Sequence, residues 1–196
     1  MGRFRPLPRA FYRRCAEEVA PDLLGRYLVR ESRGARLVVR LIETEAYLGA
    51  GDRAAHTFGG RRTERVRSMY LGGGHAYVYF TYGMHHCLNV VVGEVDSGQA
   101  VLLRGGEPVE GEERMRRRRG LSSGAKSSAI AVGPARLCQA LGIDRRLDGV
   151  TLLRGELRIV EGEPAAVTAV ERTARIGVAY AGEAASWPLR FRIRPS

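Results

Sequence analysis

The sequence predicts an α+β fold, a mixed and mainly antiparallel domain, and three observations lead to this fold class. Segments rich in β-branched residues recur along the chain and are interrupted by only a few helical patterns. A Ser-Arg-Gly-Ala turn joins the first two of these segments, which is typical of a hairpin. Neither a repeat nor a linker divides the 196 residues, so we expect a single domain over residues 1–196.

The N-terminal half of the chain opens with a predicted helix over Arg9 to Val19, entered just after Pro8. Phe11, Cys15 and Val19 recur there at i, i+4 and i+8, which is the spacing of one helix face. Long loops inside compact domains often carry function. Two strands and then one long loop, rich in glycine and arginine, are predicted next, at Tyr27–Glu31, Arg36–Tyr47 and Leu48–Gly74.

The second half of the chain continues the mixed pattern. A helix is predicted over Pro108–Arg119, because acidic residues near its start and four arginines at its end suit the helix dipole. The small, polar segment Gly120–Ala129 is predicted to be mobile, and another helix is predicted to open at Gly133-Pro134. Short strands and loops are expected from Thr151 to Ser196. Three further strands are predicted at Ala76–Tyr82, Cys87–Gly93 and Gln99–Arg104.

Composition excludes several classes of protein. No run of about 18 apolar residues exists, so we expect no membrane span, and the basic N-terminus lacks the apolar core of a secretory signal. The three cysteines, Cys15, Cys87 and Cys138, are widely spaced and suit a reducing compartment better than a disulfide framework. We therefore expect a cytoplasmic location at the bacterial nucleoid, or a nuclear one if the source is eukaryotic.

Charge is the strongest compositional signal. The formal net charge is +11 and the pI is about 10.4, and nearly all of the positive charge is arginine, since Lys126 is the sole lysine. Such a basic balance is typical of a nucleic-acid-binding protein. The alternative is an arginine-rich proteome, in which every protein carries this charge.

Two glutamates share one face of the second predicted strand. Side chains alternate along a strand, so Glu43, Glu45 and Tyr47 lie on one side. Three interpretations stay open: an edge strand whose polar face meets water, a carboxylate acting as general base, or a metal site completed by Asp52 and His56. The metal interpretation is weak, because Glu-x-Glu with a distant Asp and His is not a distinctive ligand spacing.

A cluster of aromatic residues precedes a predicted turn at Gly83. Tyr77 and Tyr79 share one strand face, and cross-strand packing accounts for Tyr77. It does not account for Tyr82 and Met84, because an exposed Tyr and Met at a turn bury nothing in the folded protein. An exposed apolar wedge on a basic protein can be inserted between the base steps of a duplex, and a flipped base is held between aromatic rings.

Taken in order, five motifs resemble the alkyladenine (3-methyladenine) DNA glycosylase family: TEAYLGAGDRAAH, YVYFTYGMHHCLN, VLLRGGEPVEG, ARLCQALGI and RIGVAYAGEAASWPLRF. The resemblance covers about Pro21 to Arg194. It implies a curved, mainly antiparallel sheet with flanking helices and a protruding β-hairpin. It also implies a monomeric repair enzyme without a cofactor or metal. Such an enzyme flips damaged purines (3-methyladenine, 7-methylguanine, hypoxanthine, ethenoadenine) out of double-stranded DNA and hydrolyses the N-glycosidic bond.

The resemblance also implies a role for individual residues. Glu45 matches the general base that activates water, and Arg104 matches the arginine that helps to hold that water. A backbone carbonyl at Ile176 or Val178 is expected to contact the same water, and the sequence does not choose between them. The remaining matches are the base-pocket residues Tyr47, His56, Tyr79 and Asn89, of which Asn89 clashes with the amino group of guanine, and the intercalating residues Tyr82 and Met84.

Contacts to the DNA backbone are expected from basic residues of the long loop and from a helix N-terminus. The candidates are Arg61, Arg62, Arg65 and Gly133, although any one of these arginines can equally be a solvated surface charge. Lys126 lies in the polar segment, so a Schiff-base lyase step is not expected. His85 and His86, where the family more often has an aromatic pair, and residues 116–131 depart from the family pattern.

Two other classes of function compete with the glycosylase. One is a non-catalytic nucleic-acid-binding module, which would have no need of the combined set of Glu45, Arg104 and Asn89. The other is a metal-dependent nuclease that uses Glu43, Glu45, Asp52 and His56. Activity that survives EDTA separates the glycosylase from the nuclease.

Overall fold

The structure, a computed structural model, describes residues 5–194, in which eight strands form one sheet with five α-helices around it. The strands are β1 Tyr27–Ser32, β2 Ala35–Tyr47, β3 Ala76–Thr81, β4 His85–Val92, β5 Gln99–Glu110, β6 Leu157–Val160, β7 Val170–Thr173 and β8 Arg190–Ile193. The helices are α1 Arg9–Tyr12, α2 Ala16–Asp22, α3 Glu112–Arg119, α4 Ser128–Ala131 and α5 Pro134–Leu141.

The sheet is antiparallel at every pairing and strongly curled, which confirms the predicted α+β class. Its strand order is β3-β4-β5-β2-β1-β6, and β8 pairs with β2 and β7. The segment before β6 draws the two outer strands together: Ala76 N–H donates to the Val150 carbonyl at 2.8 Å, and Ile159 N–H donates to the Leu152 carbonyl at 3.4 Å. The result is a half-barrel with a concave and a convex surface.

One face of the sheet carries the main hydrophobic core. Val78, Leu88 and Leu103 are fully buried there, and the α5 residues Leu137 and Leu141 belong to the same cluster. Alternation then sends the intervening side chains of β2, β3, β4 and β5 to the opposite face. That second face positions the candidate site.

The predicted N-terminal helix is two helices rather than one. The chain is extended at Cys15 (φ −68°, ψ 159°), and Glu18 caps the start of α2 by accepting a hydrogen bond from the Cys15 N–H. Tyr12 in α1 and Val19 in α2 are both fully buried. Each short helix turns an apolar side toward the same core. The i, i+4 spacing therefore continues across the break, and for this reason it predicted a single helix.

The helix predicted over Pro108–Arg119 was wrong in its first turn. Strand β5 runs on through Pro108 to Glu110, and Gly111 (φ 80°) reverses the chain before α3 begins at Glu112. A Cβ at Gly111 would lie 2.7 Å from the carbonyl oxygen of Arg36, so this close approach requires glycine. The acidic start and the basic end of the helix were predicted correctly.

Smaller boundaries also differ from the sequence prediction. Strand β3 ends at Thr81, β4 begins at His85, and the long loop contains 3-10 segments at Gly49–Gly51, Phe58–Gly60 and Glu64–Tyr70. Between residues 5 and 194, none of the helices has both the length and the apolar character needed to cross a membrane.

Candidate active site

A row of directly paired residues crosses four strands on the second face of the sheet. Glu45 on β2 pairs with Leu102 on β5, Leu102 pairs with Asn89 on β4, and Asn89 pairs with Tyr77 on β3. Directly opposed residues of antiparallel strands point to the same side. The register therefore brings a carboxylate, an amide and a phenol together although 44 residues separate Glu45 from Asn89 in the chain.

A cavity of about 300 Å³ stands over this row, and tyrosine and histidine rings form part of its wall. Eight of the predicted site residues line it: Tyr47, His56, Tyr79, Tyr82, Asn89, Arg104, Ile176 and Val178. Glu45 itself is fully buried and lies immediately behind the wall that Tyr47, Arg104 and Ile176 form. Sequence elements from three separate parts of the chain thus converge on one cavity.

Both carboxylate oxygens of Glu45 are held by hydrogen bonds. Oε1 accepts from the backbone N–H of Ile176 at 2.8 Å. Oε2 accepts from the Tyr47 hydroxyl at 2.9 Å and from Arg104 Nη1 at 3.3 Å. Charge-assisted bonds of this kind fix the carboxylate in one orientation.

The second glutamate of the pair binds Arg104 and does not face the solvent. Glu43 Oε1 accepts from Arg104 Nε at 2.9 Å and from Arg190 Nε at 2.7 Å. Strand β2 is internal, with β5 on one side and β1 and β8 on the other, so the interpretation as a solvated edge strand was wrong. Burial alone would lower the pKa of Arg104, but Glu45 and Glu43 raise it above its ordinary value.

The aromatic wall is also a connected set of polar groups. The rings of His56 and Tyr79 meet edge to face at 4.6 Å, and His56 Nδ1 lies 2.8 Å from the Tyr77 hydroxyl. Burial, with smaller contributions from Arg65 and Arg61, lowers the pKa of His56 to about 4. Burial also raises the pKa of Tyr77 to about 12, so at neutral pH both groups are uncharged.

The phenols nearest to Glu45 are kept protonated as well. Burial, followed by the charge of Glu45, raises the pKa of Tyr47 well above its ordinary value. Burial likewise raises the pKa of Tyr79. The cavity therefore presents neutral, electron-rich rings, and its formal charges are the glutamates and arginines behind and beside them.

Asn89 is placed where it can restrict what enters. Its side chain is buried, and its Nδ2 donates to the Tyr77 carbonyl at 3.2 Å, which fixes the amide against the strand. The amide lines the cavity between β3 and β5. The position agrees with the selectivity role that the resemblance implies, which stays a prediction.

The hairpin between β3 and β4 projects its apolar residues outward. Tyr82 is 85% exposed with φ 51°, in the left-handed region, and Met84 is 69% exposed. Tyr82 also contributes to the mouth of the cavity, whereas Met84 does not. Phe80 is exposed at the same hairpin and lies 5.0 Å from the His86 ring, centroid to centroid.

None of the predicted backbone-contact residues lines the cavity. The Arg65 guanidinium lies 5.6 Å from the centre of the Tyr79 ring, and Arg62 pairs with Asp96 at 2.8 Å. Arg61 is exposed as well. Gly133 (φ 109°) precedes α5, and its N–H donates to the Arg104 carbonyl at 2.7 Å, so this helix starts beside the site.

The four residues of the metal interpretation have other partners in the structure. Asp52 accepts two hydrogen bonds from Arg175, while His56 contacts Tyr77 and Glu43 contacts two arginines. In the described range 5–194, no group of three or more His, Cys, Asp or Glu side chains is arranged to hold a metal ion.

Sequence reasoning missed several residues that shape the cavity. Tyr77 had been assigned to cross-strand packing, although its shared face with Tyr79 was the signal that it also faces the cavity. Tyr180 lines the mouth, and its hydroxyl donates to the Ala54 carbonyl at 3.3 Å. Arg175 lies next to Ile176 in a recognised motif, but nothing local indicated its partner.

Two larger clefts occur on the surface, of about 640 and 810 Å³. The first contains arginines paired with acidic side chains, such as Arg30 with Glu156 at 2.6 Å. The second lies between α2 and β8. Neither is lined by any of the predicted site residues, so the smaller cavity is the candidate active site.

Comparisons with known proteins find a family and relatives that cover nearly the whole chain. Residues 10–196 match the family model described as Methylpurine-DNA glycosylase (MPG). The chain is 47% identical over 186 residues to a protein of Methanocella arvoryzae, covering 94% of this chain and 90% of the relative. It is 44% identical over 195 residues to one of Desulfitobacterium hafniense, covering 97% and 96%. Both relatives are named "Putative 3-methyladenine DNA glycosylase".

Proposed function

Because the chain belongs to the methylpurine-DNA glycosylase family, we propose that it excises damaged purines from double-stranded DNA. Its substrates would be 3-methyladenine, 7-methylguanine, hypoxanthine and ethenoadenine. The observation that carries the proposal is the Glu45 carboxylate, held through both oxygens behind a cavity of neutral aromatic rings. A protein that only bound DNA would gain nothing from burying and orienting that charge.

Glu45 acts as the general base. It takes a proton from a water molecule whose oxygen attacks C1′ of the sugar, while the bond from C1′ to the base nitrogen breaks and its electron pair leaves with the base. The sugar passes through an oxocarbenium-like state, which the anionic carboxylate stabilises. The longest of the three Glu45 contacts is the 3.3 Å bond to Arg104, and the attacking water is expected to insert there.

The cavity selects the base by charge and shape. An alkylated purine carries positive charge, and a cation is attracted to the faces of electron-rich rings such as Tyr47 and Tyr79. The neutral state of His56 at pH 7, with its pKa near 4, avoids placing a second cation beside such a base. Asn89 occupies the space that the exocyclic amino group of guanine would need.

The β3–β4 hairpin opens the duplex. Tyr82 fills the space that the flipped nucleotide leaves, and Met84 supports it from the same tip. Unstacking a base step requires a few kcal/mol, which an inserted aromatic side chain recovers by stacking. Arg61, Arg62 and Arg65 and the α5 N-terminus hold the phosphates on either side.

The reaction ends with an intact abasic site. A lyase step needs an amine that forms a Schiff base at C1′. Lys126 is the sole lysine of the sequence, and it lies between α3 and α4, outside the cavity lining. The enzyme is therefore monofunctional.

Single-turnover excision tests this function. Release of hypoxanthine and ethenoadenine from a duplex oligonucleotide is measured in EDTA for the wild type and for Glu45→Gln. Glu107→Gln is the control, because it removes a carboxylate from β5 that is more than half exposed and lies outside the cavity lining. We expect excision by the wild type and Glu107→Gln, none by Glu45→Gln, and DNA binding by all three.

Other results would select a rival function. Tight binding without excision of any tested lesion would favour a non-catalytic nucleic-acid-binding module. Strand cleavage that appears only when a divalent cation is restored would favour the nuclease. Cleavage of the abasic product by the wild type without metal would contradict the monofunctional assignment.

A further inference from the structure

A fully buried ion pair lies directly behind the candidate active site. Arg175 donates two hydrogen bonds to the Asp52 carboxylate, at 2.5 and 2.9 Å, and neither side chain has any exposed surface. Burying two charges carries a desolvation penalty that a pair of apolar side chains would avoid. Arg175 Nε is moreover a buried donor without a partner.

The arginine side of this pair touches the backbone around Glu45. Arg175 Nη1 donates to the carbonyl of Ala46, the residue between Glu45 and Tyr47, at 2.9 Å. Its guanidinium carbon lies 4.8 Å from the centre of the Tyr47 ring. The next residue in the chain is Ile176, whose N–H donates to Glu45.

The aspartate side of the pair organises the start of the long loop. Asp52 Oδ2 accepts from the backbone N–H of Leu48 at 3.1 Å, and Oδ1 accepts from that of Ala54 at 2.9 Å. These bonds fix the chain between the end of β2 and His56. Arg175 Nη2 also donates to the Ala184 carbonyl at 3.0 Å, which ties the C-terminal segment to the same point.

We infer that Asp52 and Arg175 are positioning residues that hold the Glu45 carboxylate in one orientation for the reaction. The inference rests on the proposed function, in which Glu45 is the general base. The Arg175 guanidinium binds the Ala46 carbonyl and supports the Tyr47 ring, and Arg175 directly precedes Ile176 in the chain. The arginine is therefore linked to Tyr47 and Ile176, the two groups that bind opposite oxygens of Glu45. Such preorganisation matters because small displacements of a reacting group reduce rates strongly.

A second buried arginine provides a matched control. Arg116 donates to the Glu112 carboxylate at 2.5 Å and to the carbonyls of Ser122 and Ala125. It has the same combination of one carboxylate and two carbonyl partners as Arg175, but none of its contacts lines the cavity. Loss of Arg116 contacts should weaken the fold without moving Glu45.

The test compares Asp52→Asn and Arg175→Lys with Glu112→Gln and Arg116→Lys. Each variant is measured at least about 15 °C below its own unfolding midpoint, so that all are folded. Three quantities are recorded: the single-turnover excision rate constant, the Kd for a duplex with an uncleavable abasic-site analogue, and the exchange rate of the Ile176 amide by NMR. The amide of Val91 in β4 is the internal reference.

We expect Asp52→Asn to lower the excision rate constant about 30-fold or more. At 1.36 kcal/mol per factor of ten, this corresponds to a loss of about 2 kcal/mol of transition-state stabilisation. The Kd should change less than about threefold, and Ile176 amide exchange should accelerate about tenfold while Val91 does not change. Arg175→Lys should behave alike, because an ammonium cannot reach Asp52, Ala46 and Ala184 together. The control variants should lower the unfolding midpoint only.

Unchanged excision in folded Asp52→Asn, or an equal loss in the control variants, would overturn the positioning role. If the variant at Asp52 does not fold, Arg175→Lys decides by the same criteria. The Ile176 amide is a readout that needs no catalysis. Absence of excision in the wild type therefore refutes the proposed function, whereas unchanged Ile176 exchange in Asp52→Asn refutes the positioning role.

Discussion

Two hairpins of this protein share nearly the same backbone turn and present opposite surfaces. The β1–β2 hairpin turns at Arg33 (φ 49°) and Gly34 (φ 72°), and the β3–β4 hairpin turns at Tyr82 (φ 51°) and Gly83 (φ 67°). In both, a non-glycine residue and then a glycine take the left-handed region that favoured hairpin turns require. One tip is polar, whereas the other is flanked by exposed Phe80 and Met84.

This difference separates the features that the turn geometry requires from the features that belong to the exposed surface. The glycine and the positive φ values belong to the turn itself, because both hairpins have them. The apolar side chains belong only to the hairpin that borders the cavity. Since exposed apolar side chains contribute no burial to folding, their presence at one tip and absence at the other supports a role in binding.

Replacing each tip residue by alanine gives the largest expected contrast. Tyr82→Ala should lower single-turnover excision from duplex DNA by about 100-fold, because about 2–3 kcal/mol of stacking that offsets base unstacking is lost. Arg33→Ala should leave excision within about twofold. Equal losses in both variants would show that the hairpins act through general charge or stability, with no wedge at Tyr82.

The pH dependence of stability is expected to differ between the base and the tip of the β3–β4 hairpin. Tyr77 on β3 contacts His56, whose pKa falls from 6.5 to about 4 on folding. Between these values the unfolded chain binds a proton that the folded protein does not, so stability falls as the pH drops from 6.5 towards 4. The contribution lost between about pH 7 and 4.5 is about 2 kcal/mol.

Urea unfolding at the two pH values measures this contribution in matched histidine variants. In His56→Gln, the difference in unfolding free energy between pH values should shrink by about 2 kcal/mol relative to the wild type. His85→Gln, at the exposed tip, should keep the wild-type difference. A wild-type difference in His56→Gln would mean that carboxylates alone determine the acid sensitivity.

The sequence predicted most of the fold because local periodicity indicates where its strands and helices lie. Alternation identified the strands, and the shared face of Glu43 and Glu45 followed from period two alone. It left open whether Glu43 and Glu45 lie on an exposed edge, because β8, which covers that edge, comes from the C-terminal end of the chain. Likewise the break at Cys15 was missed, since two short helices against one core repeat the spacing of a single long one.

The candidate site shows a similar limit. Motif matching found residues that converge on one cavity, and the register of β2 to β5 explains why they meet. Asp52 and Arg175 were not paired in advance, because 123 residues separate them and neither lies in a pattern that predicts the other. Long-range polar contacts of this kind depend on tertiary packing, which local sequence rules do not encode.

Met84 should make a smaller contribution than Tyr82 at the same tip. It is exposed but does not reach the cavity mouth, so Met84→Ala removes apolar surface from the hairpin without emptying the space beneath a flipped base. We expect excision to fall about fivefold, which corresponds to about 1 kcal/mol. Single-turnover kinetics beside Tyr82→Ala measures the ratio, and a larger loss at Met84 would make it the principal wedge.

The smallest expected effect concerns the turn that the two hairpins share. Arg33 and Tyr82 both take a left-handed conformation that asparagine tolerates better, and Asn-Gly is a preferred pair for such turns. Arg33→Asn and Tyr82→Asn should therefore each raise the free energy of unfolding by about 0.5–1 kcal/mol. Suppose that urea unfolding shows equal gains in the free energy of unfolding and that only Tyr82→Asn loses excision. Tyr82 is then retained for DNA binding, although its backbone conformation favours asparagine. A gain at Arg33 without one at Tyr82 would mean instead that contacts of the Tyr82 ring stabilise the folded hairpin.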